Sequence, residues 1–349
     1  MARKTVGAVD ATNGRAFRRL AFPLTCILLI LLTACSARQA DERQALTISV
    51  GGQTLFAYLP LTLAERLGYF RDEGLTVRIV DLRGGSEAMA ALLGGSADFV
   101  TGYYEHTIRA QAQGKQLTMV VLFDRYPGLV LMVGRKYSDR VKSIRDLVGK
   151  PVGVTAPGSS TDQMLKYLVG KQGLDPQSVP VVTAGTTTMI AALEQDRIWA
   201  GVTLDPAATK LENDGTAVAL YDTRTAQGTI DVFGGPWPAG GIYTTQEFVE
   251  MSPRVVQSVV NASIRALAYI QSHSAEEIAS QMPESFMAGG RDPYVESLKS
   301  NLDMFSPDGR MPEEGPANVL KTLQLVDPNL SLSNAALLKT YTNSFVTRR

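Results

Sequence analysis

The sequence has little cysteine and histidine, and this shortage narrows what the chain can do. Of its 349 residues only 2 are cysteine and 2 are histidine. His106 and His273 are far apart and lack a second histidine or a cysteine at ligand spacing, so we expect no metal and no cofactor. No glycine-x-serine-x-glycine elbow, P-loop or dinucleotide fingerprint is present. These absences argue against the common hydrolases, nucleotide-dependent enzymes and dehydrogenases.

The sequence also lacks an excess of charge. It has 34 basic and 34 acidic residues, a formal net charge of +0, and no basic stripe with interleaved aromatic residues. We therefore expect no nucleic-acid partner. The apolar run at 20–32 has 13 residues, fewer than the roughly 20 that span a bilayer. Because it follows a basic start, it is typical of the core of a secretory signal.

The end of this apolar run, "LTAC" (32–35), resembles a bacterial lipoprotein signal, whose cysteine thiol receives a diacylglycerol. The alternative is a chance cysteine after an ordinary signal peptide. Cys26 lies within the segment that cleavage would remove, so Cys35 has no partner for a disulfide. We expect a signal peptide at 1–34, a polar tether at 35–44 and a lipid on Cys35. This predicts an exported protein, anchored to a membrane in the periplasm.

From Ala45 onward, short apolar runs alternate with helical patterns, which is typical of α/β proteins with parallel strands. One set of strands precedes "DRYPG" and a second set follows it. After Ser252 the chain is mostly helical, and we expect that block to pack on the first lobe. The pattern predicts a first lobe of residues 45–130 and 240–349 and a second lobe of residues 131–239.

Two stretches carry a family resemblance. They are "LPLTLAERLGYFRDEGLTVRIVDLRGGSEAMAALLGGSADF" and "LVGKPVGVTAPGSSTDQMLKYLVGKQGLDPQSVPVV", the latter followed by "AALEQDRIWAGVTLDP". Their order and spacing resemble the solute-binding lipoproteins of ABC importers, in the nitrate, sulfonate and taurine group (SsuA/THI5-like, NMT1-like). The resemblance implies a type II periplasmic binding protein: an α/β fold of two Rossmann-like lobes with a ligand cleft, hinged near 126–135 and 233–243.

The implied function is capture of a small molecule in the cleft between the lobes. The solute would be a sulfonate, nitrate, taurine or a related organic anion, or a heterocycle. The implied partners are the permease and ATPase subunits of an ABC transporter, and we expect a monomer. A solute-sensing lipoprotein, or an enzyme built on the same fold, is the alternative.

Candidate ligand contacts follow strands, because ligands of parallel sheets bind where strands lead into helix N-termini. Ser160 and Gln163 also fit a capping box, Asp205 could simply cap a helix, and at least one of the two adjacent tyrosines should fill the core. Acidic groups in the cleft would suit an amine rather than a bare anion. The predicted ligand-binding residues are Gln53, Thr54, Ser86, Tyr103, Tyr104, Glu105, Gly158, Ser159, Ser160, Thr161, Thr186 and Asp205.

The enzyme alternatives are weaker. The family also resembles pyrimidine-precursor synthases, but these carry a cysteine-rich iron motif, and the predicted mature chain has no cysteine beyond the lipid site. A lyase or hydrolase would use His106 or Glu105 as its base. Export and lipid anchoring argue against such a lyase or hydrolase. We therefore expect that the protein is not an enzyme.

Overall fold

The computed structural model describes residues 1–2, 44–287 and 289–346, without the side chains of residues 186 and 187. Cys35 and nearly all of the predicted signal peptide and tether lie outside these residues. The chain divides into two units, Met1–Gln44 and Ala45–Arg349. The strands and helices belong to the second unit, apart from Gln44 at the start of β1. In the described part of the chain, no helix combines the length and apolar character needed to cross a bilayer.

Strands and helices alternate along most of the described chain. The strands are β1 (Gln44–Gly51), β2 (Leu75–Leu82), β3 (Phe99–Tyr103), β4 (Leu117–Leu122), β5 (Val130–Gly134), β6 (Val152–Val154), β7 (Val181–Thr183), β8 (Ala200–Thr203), β9 (Ala217–Asp222) and β10 (Gly240–Thr245). The α-helices are α1 (Leu59–Arg66), α2 (Tyr69–Asp72), α3 (Gly85–Leu93), α4 (Glu105–Ala112), α5 (Ser160–Lys171), α6 (Thr186–Glu194), α7 (Ala207–Asn213), α8 (Ala226–Phe233), α9 (Gln246–Met251), α10 (Pro253–Ser272), α11 (Ala275–Gln281), α12 (Arg291–Asn301), α13 (Gly315–Val326) and α14 (Asn334–Leu337).

The strands form two five-stranded mixed sheets. The first has the order β2-β1-β3-β10-β4 and the second the order β7-β6-β8-β5-β9. In the first sheet β10 runs antiparallel to both of its neighbours, and in the second sheet β5 does the same. Each sheet therefore contains one antiparallel strand, and this strand is the first one after the chain crosses from the other sheet. The predicted two-lobe, type II binding-protein fold is confirmed.

Two segments connect the sheets. Residues 123–129 lead from β4 to β5, and residues 234–239 lead from α8 to β10. Strands β3, β4 and β5 are buried along their whole length, as expected for apolar strands covered by helices on both faces. The exact lobe boundaries stay a prediction.

The C-terminal helices do more than cover the first lobe. Helix α10 packs on α1 and α2, as the sequence predicts. Helix α13, however, packs on α5 of the second lobe and on α4 of the first. The Trp237 indole, in the second connecting segment, donates a 3.0 Å hydrogen bond to Thr322 of α13. The helical block therefore also bridges the two lobes.

Candidate functional site

The turn between β6 and α5 is closed by its own side chains. Gly158 has a φ of +78°, a conformation that favours glycine. The Gly158 amide donates to Asp162 Oδ2 at 2.7 Å. Thr161 Oγ1 accepts from the Thr155 amide at 3.0 Å and lies 2.9 Å from the Thr155 hydroxyl. Four residues of the predicted site (Gly158, Ser159, Ser160 and Thr161) thus lie together at the start of a helix.

The capping box predicted for Ser160 is wrong. The N-cap residue is Ser159, whose side chain makes no capping hydrogen bond, and Ser160 is the first residue of the helix. Asp162 fastens the turn instead, through the Gly158 amide. The Ser160 side chain is thereby free to contact the other lobe.

A second turn, at the start of α3, faces this one from the first lobe. Ser86 Oγ donates to the Pro157 carbonyl at 2.9 Å and lies 3.4 Å from Ser159 Oγ. A Cβ atom at Gly84 would lie 2.8 Å from Ser159 Oγ, so glycine permits this approach. The two lobes are in direct contact here, and the structure has a closed interlobe boundary.

Glu105 is the centre of a buried polar network across this boundary. It is fully buried and accepts from Ser160 Oγ at 2.8 Å. Arg109 Nη1 lies 3.4 Å from its carboxylate and donates to the Gly158 carbonyl at 2.7 Å. One carboxylate and one guanidinium of the first lobe therefore hold the turn of the second lobe.

His106 continues this network into the core. Its Nε2 lies 3.2 Å from Glu105 Oε1 without hydrogen-bond geometry, and its Nδ1 lies 3.0 Å from the Tyr243 hydroxyl. Burial lowers the pKa of His106, and Glu105 offsets this only in part. A Cβ atom at Gly85 would lie 2.6 Å from the imidazole. Neutral His106 therefore lies packed beneath α3.

Asp205 makes a second set of interlobe contacts. Its Oδ1 accepts from the Thr209 amide at 2.8 Å, as a residue that caps α7 would. Its Oδ2 accepts from Asn301 Nδ2 of the first lobe at 2.6 Å, and its carbonyl accepts from the Phe56 amide at 3.0 Å. Arg224 approaches the same carboxylate at 3.4 Å. Capping and interlobe contact thus coexist in one residue.

The remaining predicted residues divide between the boundary and the core. The backbone amide of Gln53 donates to Asp81 at 2.9 Å, and Thr54 follows it in the same turn. The Tyr104 hydroxyl bonds Thr340 at 2.6 Å, so this tyrosine is fixed to the C-terminal segment. Thr186 begins α6, and its side chain lies outside the described atoms.

The connecting segments contribute residues that the sequence analysis missed. Asp124 is fully buried, and neither carboxylate oxygen accepts a hydrogen bond of good geometry from a described residue. Tyr103 donates its hydroxyl to the Pro127 carbonyl of the same segment. The ring of Tyr58 packs edge to face against Tyr103, with centroids 6.3 Å apart. Asp124 follows the apolar run 117–123 directly, and an acidic residue in that position is the sequence feature that could have indicated it as a site residue.

A polar cavity opens beside the network. It has a volume of about 500 Å³ and lies between α4 of the first lobe and α5 of the second, with the end of α13 as its third wall. Arg109, Gln163 and Lys166 line it. Lys166 Nζ lies 2.7 Å from Asp162. The cavity therefore reaches the interlobe boundary next to the turn.

A family model described as NMT1/THI5 like matches residues 56–277. The chain belongs to this family, as its sequence motifs predict. A solved structure from Bordetella bronchiseptica RB50 is 38% identical, with a TM-score of 0.84, over 87% of this chain and 96% of that chain. The alkanesulfonate-binding protein SsuA from Xanthomonas axonopodis pv. citri, bound to MOPS, superposes with a TM-score of 0.66 at 19% identity, over 87% and 99% of the two chains.

Among curated relatives, a 4-amino-5-hydroxymethyl-2-methylpyrimidine phosphate synthase from Legionella pneumophila is 28% identical over 147 residues. The match covers 42% of this chain and 44% of the synthase. This chain therefore matches less than half the length of that relative. The similarity concerns that part alone, and the activity of the whole synthase does not follow from it.

Proposed function

We propose that this protein is the extracytoplasmic solute-binding component of an ABC importer, and that it closes its two lobes around a small molecule. The observation that carries the proposal is the interlobe boundary itself. Polar contacts such as those of Ser160 with Glu105 and of Asn301 with Asp205 join lobes that only two main segments connect. Contacts of this kind can form and break as a hinge moves.

The solute would bind where the strands of both sheets lead into helices. Sulfonates, nitrate, taurine, related organic anions and heterocycles are the candidates that the family resemblance supplies. The polar cavity beside Arg109 and Lys166 offers a path to this place. The partners would be the permease and ATPase subunits, and the protein would act as a monomer in the periplasm.

Small-angle scattering combined with calorimetry tests this proposal. A solute that binds by calorimetry should reduce the radius of gyration, because closure brings the lobes together. Asn301→Ala, which removes the hydrogen bond to Asp205 between the lobes, should show a weaker reduction. Asn334→Ala, an exposed asparagine of α14, serves as the matched control. An unchanged radius with proven binding would contradict hinged closure.

We also propose that a lipid on Cys35 holds the protein at a membrane. The change Cys35→Ala should release the protein from membranes, because the thioether to the diacylglycerol can no longer form. Cys26→Ala, in the segment expected to be removed, is the control and should leave anchoring unchanged. Mass spectrometry of the mature N-terminus checks this, and an unmodified N-terminus at another residue would refute it.

An enzyme remains the second candidate, because the Legionella synthase is a relative and because His106 lies between Glu105 and Tyr243. Both the imidazole and the Glu105 carboxylate are fully buried, and Glu105 is engaged by Ser160. A substrate would reach them only after the lobes open. Turnover of a bound candidate molecule, followed by mass spectrometry and lost in His106→Gln, would establish the enzyme.

A solute-sensing lipoprotein is the other alternative to import. It would bind the same solute and report to a receptor instead of a permease. Deleting the transporter genes and measuring solute uptake separates the two roles.

A further inference from the structure

Four carboxylates lie buried where the lobes and their connecting segments meet. They are Glu105, Asp124, Asp162 and Asp205. Three of them have a cation within reach: Arg109 lies 3.4 Å from Glu105, Lys166 lies 2.7 Å from Asp162, and Arg224 lies 3.4 Å from Asp205. In the part of the chain that the structure describes, Asp124 has no such partner. The boundary therefore holds one carboxylate without a counter-charge.

Asp124 also lacks the hydrogen bonds that a buried carboxylate needs. Neither of its oxygens makes a hydrogen bond of good geometry with a described residue, although the Gly240 amide lies near the carboxylate and both oxygens are shielded from solvent. An isolated ionised carboxylate in a protein interior costs several kcal/mol. Among the described residues, Asp124 is the one carboxylate with both oxygens buried and unpartnered. Nearly all buried polar atoms in native proteins have partners, so this group requires either a proton or a cationic partner from outside the chain.

Aromatic side chains lie in the same region as this carboxylate. Gly240 pairs with Tyr103 in the first sheet. A Cβ atom at Gly240 would overlap Asp124 Oδ2 and lie 3.0 Å from the carbonyl oxygen of Ala57, the residue before Tyr58. The ring of Tyr103 lies 6.2 Å from that of Trp237. Aromatic faces attract cations as well as flat rings. The region thus combines one unpaired acid with rings suited to a positively charged or aromatic ligand.

The turn at the start of α5 does not provide free hydrogen-bond donors for an anionic ligand. Its Ser160 hydroxyl donates to Glu105, and its Gly158 amide donates to Asp162. These donors already serve carboxylates of the protein itself. A bare anion would have to compete with both side chains for the same hydrogens. The boundary is better suited to a ligand that brings positive charge.

We infer that the solute carries a protonated nitrogen and that Asp124 binds this nitrogen when the lobes are closed. The inference rests on the proposed function, because it requires a solute between the lobes. An ammonium group donates three hydrogen bonds and supplies the missing charge in one step. Among the candidate solutes, an amino-bearing compound such as an aminosulfonate or an aminated heterocycle is therefore selected over a nitrate or a simple sulfonate.

Matched probe pairs test the inference. Taurine and ethanesulfonate differ by an amino group, and benzylamine and benzyl alcohol differ by an amine in place of a hydroxyl. Calorimetry on the wild-type protein should show the amine of each pair binding at least about tenfold more tightly, as expected for a charge-assisted hydrogen bond. Asp124→Asn should remove this preference. Asp139→Asn, an exposed acid of the second lobe, should keep it.

The comparison within each pair uses the wild-type protein, so it holds even if Asp124→Asn does not fold. Equal binding of ethanesulfonate and taurine overturns the inference. So does a preference for amines that survives in a folded Asp124→Asn protein, or a co-purified ligand without a basic nitrogen. If an amine-free molecule binds and compacts the protein, the proposed function stands and only this inference fails. If no molecule compacts it, the proposed function fails.

Discussion

The α5 turn and the first connecting segment both bury acidic side chains, but they treat them differently. At the turn, Asp162 and Glu105 each have a cation and a hydrogen-bond donor from the protein. At the connecting segment, Asp124 has no cation and no hydrogen bond of good geometry among the described residues. A buried charge that is paired contributes to structure, whereas one that is unpaired is costly unless a ligand completes it. The contacts of Glu105 with Ser160 and Arg109 hold the two lobes together and are called the clasp. Asp124 of the connecting segment is the carboxylate that can recognise a ligand.

Breaking the clasp at its centre should have the largest effect. Glu105→Gln leaves Arg109 without its buried carboxylate, and the free energy of unfolding should fall by about 3–5 kcal/mol. Glu87→Gln is the matched control, because Glu87 pairs with Arg83 at 2.9 Å at the same helical spacing but on the surface. Exposed pairs contribute at most about 1 kcal/mol. Denaturant unfolding measures both, and equal losses would contradict the clasp.

Removing one hydroxyl from the clasp should cost less. Ser160→Ala deletes the donor to Glu105, and hydrogen bonds to charged groups contribute about 1.5–3 kcal/mol. Because this bond joins the lobes, ligand affinity should fall together with stability. Thr161→Val should also shift the ligand titration, through the lost contacts with Thr155. Ser272→Ala, an exposed serine of α10, should leave both quantities unchanged in calorimetry and thermal unfolding.

Valine at Gly158, compared with valine at Gly149, distinguishes the effect of backbone strain from the effect of blocking the interlobe contact. Valine in this left-handed conformation costs about 1–2 kcal/mol, and its Cβ would lie 3.5 Å from Arg109 and 3.7 Å from Ser86. Gly149 has a φ of +70° with nothing within 4 Å of a Cβ. Gly149→Val should therefore lose stability alone, whereas Gly158→Val should lose ligand binding as well. Similar binding by both variants would show that the turn lies outside the ligand path.

Near pH 4 the smallest effect should come from Asp124→Asn, and this effect should grow as the pH rises. Burial raises the pKa of Asp124 well above its usual range, and the Gly240 amide offsets this only in part. A carboxyl whose folded pKa is raised favours the folded state at low pH and loses that contribution as pH rises. Near pH 4 the wild-type and Asn proteins should be equally stable.

As the pH rises above about 4, the ligand-free wild-type protein should lose stability relative to Asp124→Asn, by at most about 1.4 kcal/mol per pH unit. An amine ligand should abolish the difference, because it stabilises the ionised carboxylate. Thermal unfolding across pH, with and without benzylamine, measures this. A wild-type protein that gains stability over the Asn variant as pH rises would contradict an unpaired Asp124.

The sequence predicts the fold well because glycine turns and apolar strands are local signals. It also places Ser160 and Glu105 among the candidate residues, since both lie where a strand leads into a helix. The alternative role of Ser160 in a capping box is wrong, because a capping box and an interlobe hydrogen bond require the same residue types. Asp124 was missed, because its isolation depends on which groups the folded chain brings near it. Absence of a partner is a property of packing, which local spacing does not encode.

One measurement tests the central claim, that solute enters and leaves by separation of the two lobes. Ser86 and Ser159 have γ-oxygens 3.4 Å apart across the boundary, so cysteines at these positions are candidates for an oxidative cross-link between the lobes. Ser86→Cys with Ser159→Cys would be made in protein whose Cys26 and Cys35 are replaced by serine. The account predicts that the reduced double variant still binds and exchanges solute, with an affinity lowered by the lost Ser86 hydrogen bond, whereas the oxidised, ligand-free protein neither binds nor exchanges it. Solute exchange at the same rate in the oxidised protein would contradict the account.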